Sequence, residues 1–243
     1  MYLRDVRGDP DGPRLVCLPG AAASPVPFRA WADAFAGRYH LQVADPWALY
    51  LATEGRANAT LADTARLIAP EVADGPPAVL VGHSRGALLA YEVAQQLHDA
   101  GRGGAVQAVV AMAHRAPTSP PLMPVAGAPD GTLIEFLHEA GGTDEAAFDD
   151  PELLQLILAR LRAELTTSEG YRSPWPAPLP ADLYLYLGCD DASVPTAEAD
   201  AWRKCVDGAF THRVFPGGHF FPFAESPGLV HEALADDFPS LRR

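Results

Sequence analysis

The segment that most constrains this chain is Val79-Leu80-Val81-Gly82-His83-Ser84-Arg85-Gly86-Ala87. An apolar run leads into Gly-x-Ser-x-Gly, and beyond it Leu89, Val93 and Leu97 recur at helical steps. A strand, a tight turn and a helix in that order put the serine at the apex of the turn and at the helix N-terminus. Glycine is needed at positions 82 and 86 because side chains there would meet neighbouring backbone. The free N–H groups and dipole of the helix favour negative charge developing beside the apex. Gly-x-Ser-x-Gly alone is a weak pattern. The strand before it and the helix after it make Ser84 the candidate nucleophile.

A serine hydroxyl needs a base, and the base needs an orienting carboxylate. On a strand–turn–helix serine the chain order is serine, acid, histidine. His219 lies in Phe215-Pro216-Gly217-Gly218-His219-Phe220-Phe221, a glycine-rich loop after a strand candidate, and is the expected base. His231 falls in the terminal helix and reads as a surface residue. His212 falls within a strand, and His83 reads as a packing or hydrogen-bonding part of the turn. For the acid, Leu187-Gly188-Cys189-Asp190-Asp191-Ala192-Ser193-Val194 follows the strongest late strand. Neighbouring residues at a strand end point in different directions, so one aspartate faces His219. Asp191 is favoured, with Asp190 the alternative. The oxyanion hole is expected from the backbone N–H of Arg85, after the nucleophile, and from the loop Leu18-Pro19-Gly20-Ala21-Ala22-Ala23-Ser24, with Ala21 as donor.

The rest of the chain alternates short apolar runs with helical patterns, which predicts an α/β sheet. Strands are expected at 14–19, 39–43, 78–82, 106–113, 182–187 and 211–215, mostly apolar throughout, as in strands buried on both faces. Phe28, Trp31 and Phe35 share a helical face. Thr60 and Asp63 form a capping box ahead of Leu61, Ala65, Ile68 and Val72. Ser226 and Pro227 open a last helix, as N-cap and first helical residue. The alternation breaks between residues 117 and 180, which contain no convincing strand. Leu133–Glu139 and Pro151–Leu165 read as helices there. The second carries a stripe of Leu154, Ile157, Leu158, Leu161 and Leu165, widened by Leu153 and Leu156. Prolines bracket this block, and a helical insertion between two strands reads as a lid within one domain spanning residues 1–243.

Composition excludes several classes. With 18 Lys+Arg against 31 Asp+Glu, the net charge is −13, and no basic cluster exists to bind nucleic acid or anionic membrane. No apolar run is long enough to span a bilayer. The stretch Met1–Asp9 lacks the apolar segment of a secretory signal. Cys17, Cys189 and Cys205 form an odd, unpaired set, so reduced thiols in a cytoplasmic protein are expected. Neither metal-ligand spacing nor a nucleotide-binding glycine motif is present, so no metal or cofactor is expected.

Taken together, these motifs resemble the type II thioesterases, the stand-alone enzymes that accompany polyketide and nonribosomal peptide synthases. That family carries Pro-His-Ala-Gly-Gly-Ser after its first strand, and here Pro19-Gly20-Ala21-Ala22-Ala23-Ser24 stands in its place. An aromatic-x-x-Trp pattern follows at Phe28 and Trp31. The family's Gly-His-Ser-Met-Gly-Ala is here Gly82-His83-Ser84-Arg85-Gly86-Ala87. Gly141-Gly142-Thr143, Asp150-Pro151-Glu152-Leu153, Gly170-Tyr171-Arg172, Gly188-x-x-Asp191 and Pro216-Gly217-Gly218-His219-Phe220 extend the likeness over nearly the whole chain.

The resemblance implies an α/β-hydrolase fold. It further implies release of acyl groups from the phosphopantetheine of an acyl or peptidyl carrier protein, through an acyl-enzyme on Ser84. Capture of that acyl-enzyme by an internal nucleophile, action on free small esters, or carrier binding without catalysis are the alternatives. Three departures stand out. Gly20, Ala22 and Ala23 alter the oxyanion loop. Gln42-Val43-Ala44-Asp45-Pro46-Trp47 replaces Gln-x-Pro-Gly-Arg and makes Trp47 a candidate pocket wall. Arg85 places a cation in the first turn of a helix, where the dipole disfavours it by up to about 1 kcal/mol. An ion pair with a nearby carboxylate, or contact with an anionic group of the substrate, is expected there.

Overall fold

The computed structural model describes residues 1–34, 39–53, 59–140 and 143–239. Among them seven strands form one sheet: β1 (Leu3–Arg7), β2 (Arg14–Leu18), β3 (His40–Ala44), β4 (Ala78–His83), β5 (Val106–Met112), β6 (Asp182–Gly188) and β7 (Phe210–Phe215). Their spatial order is β1-β3-β2-β4-β5-β6-β7. All neighbours pair in parallel except β1, which runs antiparallel to β3. The nine helices of the described residues are α1 (Val26–Ala34), α2 (Pro46–Ala52), α3 (Leu61–Ala73), α4 (Arg85–Asp99), α5 (Asp130–Ala140), α6 (Ala146–Asp149), α7 (Pro151–Gly170), α8 (Glu198–Arg203) and α9 (Pro227–Asp237). This mostly parallel sheet with flanking helices is the α/β-hydrolase fold.

The strand period of two divides the core into two layers. Val16, Leu18 and Leu80 face the helices that carry Ile68, Val72, Leu89 and Val93. Leu15, Cys17, Val79 and Val81 face the opposite layer, with Phe28 and Trp31 of α1 and Val230 and Leu234 of α9. β2 and β4 are buried along their whole length, which is why they read as continuous apolar runs. The six expected strands lie within a residue or two of their expected ends. β1 was not anticipated: Leu3-Arg4-Asp5-Val6-Arg7 is mostly charged, a composition suited to a sheet edge. Asp5 accepts hydrogen bonds there from His40 and Gln42 on β3, both at 2.8 Å.

The capping box forms as expected, with Thr60 and Asp63 exchanging side-chain-to-backbone bonds at the start of α3. Ser226 occupies the N-cap position of α9 with Pro227 in the first turn, as expected, but its hydroxyl donates to the Pro216 carbonyl at 2.8 Å instead of accepting from the helix. Nor is His231 a surface residue. Its ring packs edge-on against Trp31 at 5.3 Å between centroids, because α9 turns that side toward α1. Two short helices, α2 and α8, lack enough turns to show a period, although Asp45 caps α2 through the Ala48 N–H. Phe35 and the Gly141-Gly142 pair lie outside the described residues.

Helices α5, α6 and α7 stand between β5 and β6 in the chain, where no strand was expected. Leu133, Leu137, Leu158, Leu161 and Leu165 form a separate small core, and Ala21 of the loop after β2 joins it. Leu153 and Leu156 do not widen the buried stripe; they are exposed. Beyond α7 the chain is fastened to α4. Tyr171 Oη and Trp175 Nε1 donate to the buried carboxylate of Glu92 at 2.5 and 2.9 Å. Among the described residues no helix is long and apolar enough to cross a membrane.

The β4–α4 turn is possible only because two positions lack side chains. A Cβ on Gly82 would lie 2.1 Å from the Gly86 carbonyl oxygen, and one on Gly86 would lie 1.9 Å from that of Leu18. Both partners are backbone of the central sheet and its helix, so neither can move aside cheaply. Gly86→Ala is therefore expected to lower unfolding free energy by about 2–3 kcal/mol, the cost of overpacking a rigid core. Urea titration followed by circular dichroism measures it, and an unchanged midpoint would show that the turn relaxes.

Candidate active site

Ser84 sits between β4 and α4 with φ 52° and ψ −126°, a left-handed conformation rare for a residue with a side chain. Its own N–H is fixed by the Met112 carbonyl of β5 at 2.8 Å, and its carbonyl accepts from Ala87 N–H at 2.8 Å. The backbone on both sides is thus held, and the hydroxyl is left to turn outward.

The structure brings the three expected side chains together. Ser84 Oγ lies 2.9 Å from His219 Nε2, and His219 Nδ1 lies 2.8 Å from Asp191 Oδ2. A carboxylate can only accept, so Nδ1 carries the proton and Nε2 is free to accept from the serine hydroxyl. Asp191 is buried, and its other oxygen accepts from Ser193 N–H at 2.9 Å and Ser193 Oγ–H at 2.6 Å. Burial alone would raise the Asp191 carboxyl, but hydrogen bonds from His219 and Ser193 and the adjacent imidazole hold it below its ordinary value. It remains an anion beside the imidazole. Asp190, the alternative acid, is exposed, and among the described residues its carboxylate accepts only from the Cys189 thiol, at 3.2 Å. Ser193 was not anticipated as a support. A serine two residues after the acid is the signal that marks it, through the local Asx-turn geometry.

His83 supports the same site from beneath. Its Nε2–H donates to the His219 carbonyl at 2.9 Å and so ties the turn to the loop that carries His219. Its ring also meets Phe223 edge-on at 5.0 Å. Burial, then the nearby His219 imidazole, pushes His83 down to about 3. His114, at the end of β5, donates from Nδ1 to the Arg115 carbonyl at 2.8 Å, and burial takes it down to about 4. Both rings are neutral near pH 7. Among the described residues no group of three or more His, Cys, Asp or Glu side chains could hold a metal ion.

The loop after β2 lies directly against the turn: a Cβ on Gly20 would stand 3.2 Å from Ser84 Cβ. Ala21 is buried, and its N–H makes no hydrogen bond among the described residues. Ala22 has φ 51°. Its N–H donates to Glu164 Oε2 at 2.5 Å, and the Ala23 carbonyl accepts from Arg160 Nη2 at 3.0 Å. Sequence reasoning missed Arg160 and Glu164, although their i, i+4 spacing among the leucines of α7 is legible.

Arg85 and Trp47 do not stand where a substrate-facing role requires. Neither lines the cavity at Ser84. The Arg85 side chain is buried, and burial first lowers its guanidinium, while the Glu164 carboxylate supports its charge and Arg160 opposes it. The Trp47 ring is covered by the Arg160 guanidinium, 4.6 Å from its centroid. The physical reasons differ: the α7 guanidinium of Arg160 covers the Trp47 ring, whereas Arg85 lies buried, its charge favoured by the Glu164 carboxylate. The cavity itself has a volume of about 440 Å³. Ser84, Asp191 and His219 share it with Leu88, Phe136 and Leu165.

Residues 13–238 match the family model described as thioesterase domain. A probable cadicidin biosynthesis thioesterase of Streptomyces griseus is 34% identical over 148 residues, which cover 61% of this chain and 40% of that protein. Thioesterase TesA of Mycobacterium marinum is 33% identical over 156 residues, covering 64% of this chain and 61% of that protein. The chain thus spans less than two thirds of either relative's length. The solved structure of the type II thioesterase BorB, from the borrelidin biosynthetic cluster, superposes with a TM-score of 0.78 at 29% identity, covering 99% of this chain and 98% of that one.

The neutral histidines make stability depend on pH. His83 and His114 take up protons in the unfolded chain below about pH 6.5 but not in the folded one until pH 3–4. The stabilisation is complete above pH 6.5 and is lost as pH falls toward 4. Unfolding free energy should therefore drop on acidification across that window. His83→Gln should reduce the slope by about 1.4 kcal/mol per pH unit, the value for one proton. Urea unfolding at a series of pH values measures both slopes, and identical slopes would mean that His83 is protonated in the fold.

Proposed function

Because this chain belongs to the thioesterase family, we propose that it hydrolyses acyl thioesters carried on the phosphopantetheine arm of acyl or peptidyl carrier proteins. It would thereby release or edit acyl groups during polyketide or nonribosomal peptide biosynthesis in the cytoplasm. The observation that carries this reading is the continuous hydrogen-bonded chain Ser84–His219–Asp191 opening onto an apolar cavity.

In the first half-reaction Ser84 Oγ attacks the thioester carbonyl while His219 Nε2 takes its proton. The charge that develops on the carbonyl oxygen is met by the backbone N–H groups of Arg85 and Ala21. Collapse of the tetrahedral adduct breaks the C–S bond, and the imidazolium returns its proton to the departing thiolate. In the second half-reaction His219 activates a water that attacks the acyl-enzyme, and the acid leaves with Ser84 restored. Asp191, kept ionised, fixes the imidazole tautomer and stabilises the imidazolium in both steps. The acyl chain occupies the cavity beside Leu88, Phe136 and Leu165, with α5–α7 as a lid over it. No cofactor of the protein's own is assigned: the phosphopantetheine belongs to the substrate.

A panel of acyl-carrier thioesters with intact-mass detection tests the assignment. Wild-type protein should release free acid, one water heavier than any cyclised product. Ser84→Ala should lower kcat by a factor on the order of 10⁶, as for other serine nucleophiles. Equal turnover by wild type and variant would refute the mechanism.

The net charge of −13 bears on docking. A carrier of like sign is repelled at long range, and salt screens that repulsion. KM for a carrier-bound substrate should stay constant or fall as ionic strength rises from 0.05 to about 0.3 M, through the range where the Debye length drops below 10 Å. A steep rise would require a basic docking patch.

A further inference from the structure

The loop after β2 has little to hold its shape. Its own internal backbone bond, Ala23 N–H to the Gly20 carbonyl, is long at 3.3 Å. Ala22 adopts φ 51°, which costs a residue with a side chain roughly 1–2 kcal/mol. The restraint comes from α7. Glu164 and Arg160 are buried, with side chains 3% exposed each, and Glu164 Oε1 accepts from Arg160 Nε at 2.9 Å. The other carboxylate oxygen takes the Ala22 N–H at 2.5 Å, and Arg160 Nη2 takes the Ala23 carbonyl at 3.0 Å. One ion pair therefore grips an N–H and a C=O of adjacent residues. The Ala21 N–H shares a peptide plane with the Gly20 carbonyl, which the Ala23 N–H reaches at 3.3 Å, so holding Ala22 and Ala23 restrains the direction of that N–H.

We propose that Glu164 is a positioning residue for the oxyanion hole, so that Ala21 can meet the tetrahedral adduct only while α7 is docked on the loop after β2. This rests on the hydrolytic reading above and adds a residue to it. The lid helix and the oxyanion donor become one unit. A movement of α7 that admits substrate breaks the Glu164–Ala22 bond, and catalytic competence returns when α7 closes.

The test compares Glu164→Gln with Glu164→Leu. The two replacements are similar in size, both remove the charge, and only glutamine keeps an oxygen to accept the Ala22 N–H. Loss of an oxyanion donor costs about 10²–10³ in kcat, so Glu164→Leu should fall about 100-fold while Glu164→Gln falls less than about tenfold. KM should stay within about threefold in both, because the hole acts on the transition state. Equal kcat values for the two variants, or a loss confined to KM, would overturn the proposal. Wild-type hydrolysis that survives Ser84→Ala would instead overturn the reading beneath it. A second measurement does not depend on either variant folding. Hydrogen exchange of the wild-type protein should show the Ala22 amide and α7 protected together, and more so with a phosphonate on Ser84. Free exchange at Ala22 beside a protected α7 would equally overturn the proposal.

Discussion

The constraint on which this structure depends is the backbone of one residue. Ser84 at φ 52° and ψ −126° is held in a conformation it would abandon in a short peptide. The strain is tolerated because β4 is buried along its whole length and α4 is buried along most of it. The turn between them cannot relax without disturbing both core layers. Gly82 and Gly86 make room for the close approach, and the Met112 carbonyl fixes the Ser84 amide. The placement of Ser84 is thus a property of the sheet rather than of local sequence preference. The remaining site residues arrive on loops whose positions are set against this turn: the loop after β2 by contact with Ser84, and the His219 loop by the hydrogen bond from His83.

How much of this was legible in the sequence follows from which interactions are local. The turn was legible because strand, glycine spacing and helix fall within twenty residues. Asp191 and His219 were legible because each follows a strong strand, and chain order does the rest. Between Asp190 and Asp191 the sequence could only favour one. The choice is made by Ser193, whose N–H and hydroxyl hold the Asp191 carboxylate toward the histidine. Strand β1 was illegible because an edge strand needs no apolar run, and its three charged residues resemble a loop. His231 read as a surface residue because helical period alone does not show that a second helix, carrying Trp31, covers that side.

Buried charge is where sequence reasoning reached least far, and for a consistent reason. A stripe of leucines in α7 announces a packed face, and Arg160 and Glu164 read as the polar residues between them. Their burial becomes visible only when the loop after β2 supplies an N–H and a C=O that need partners. A buried ion pair is weak evidence for stability, since desolvation consumes most of its attraction. Its value here is directional. Each partner has hydrogen-bond positions left over after the pair is made, and these go to one loop, while the flat face of the Arg160 guanidinium covers Trp47.

The departures from the family pattern then become connected. Where the family has Gly-Gly in the loop after the first strand, this chain has Ala22 and Ala23. Glycine reaches φ 51° without penalty, whereas Ala22 does not, so the loop needs an external restraint that a glycine loop would lack reason to keep. Where the family has methionine after the nucleophile, this chain has Arg85, a cation disfavoured by the helix dipole and by burial. Both costs are met by the same carboxylate. Glu164 takes the Ala22 N–H directly and supports the Arg85 charge electrostatically. Arg160 completes the set by directing Glu164 and closing on Ala23. Taken singly, each substitution destabilises the neighbourhood of Ser84. Taken together, they exchange a loop that is permissive by composition for one that is ordered by contact with the helix above it.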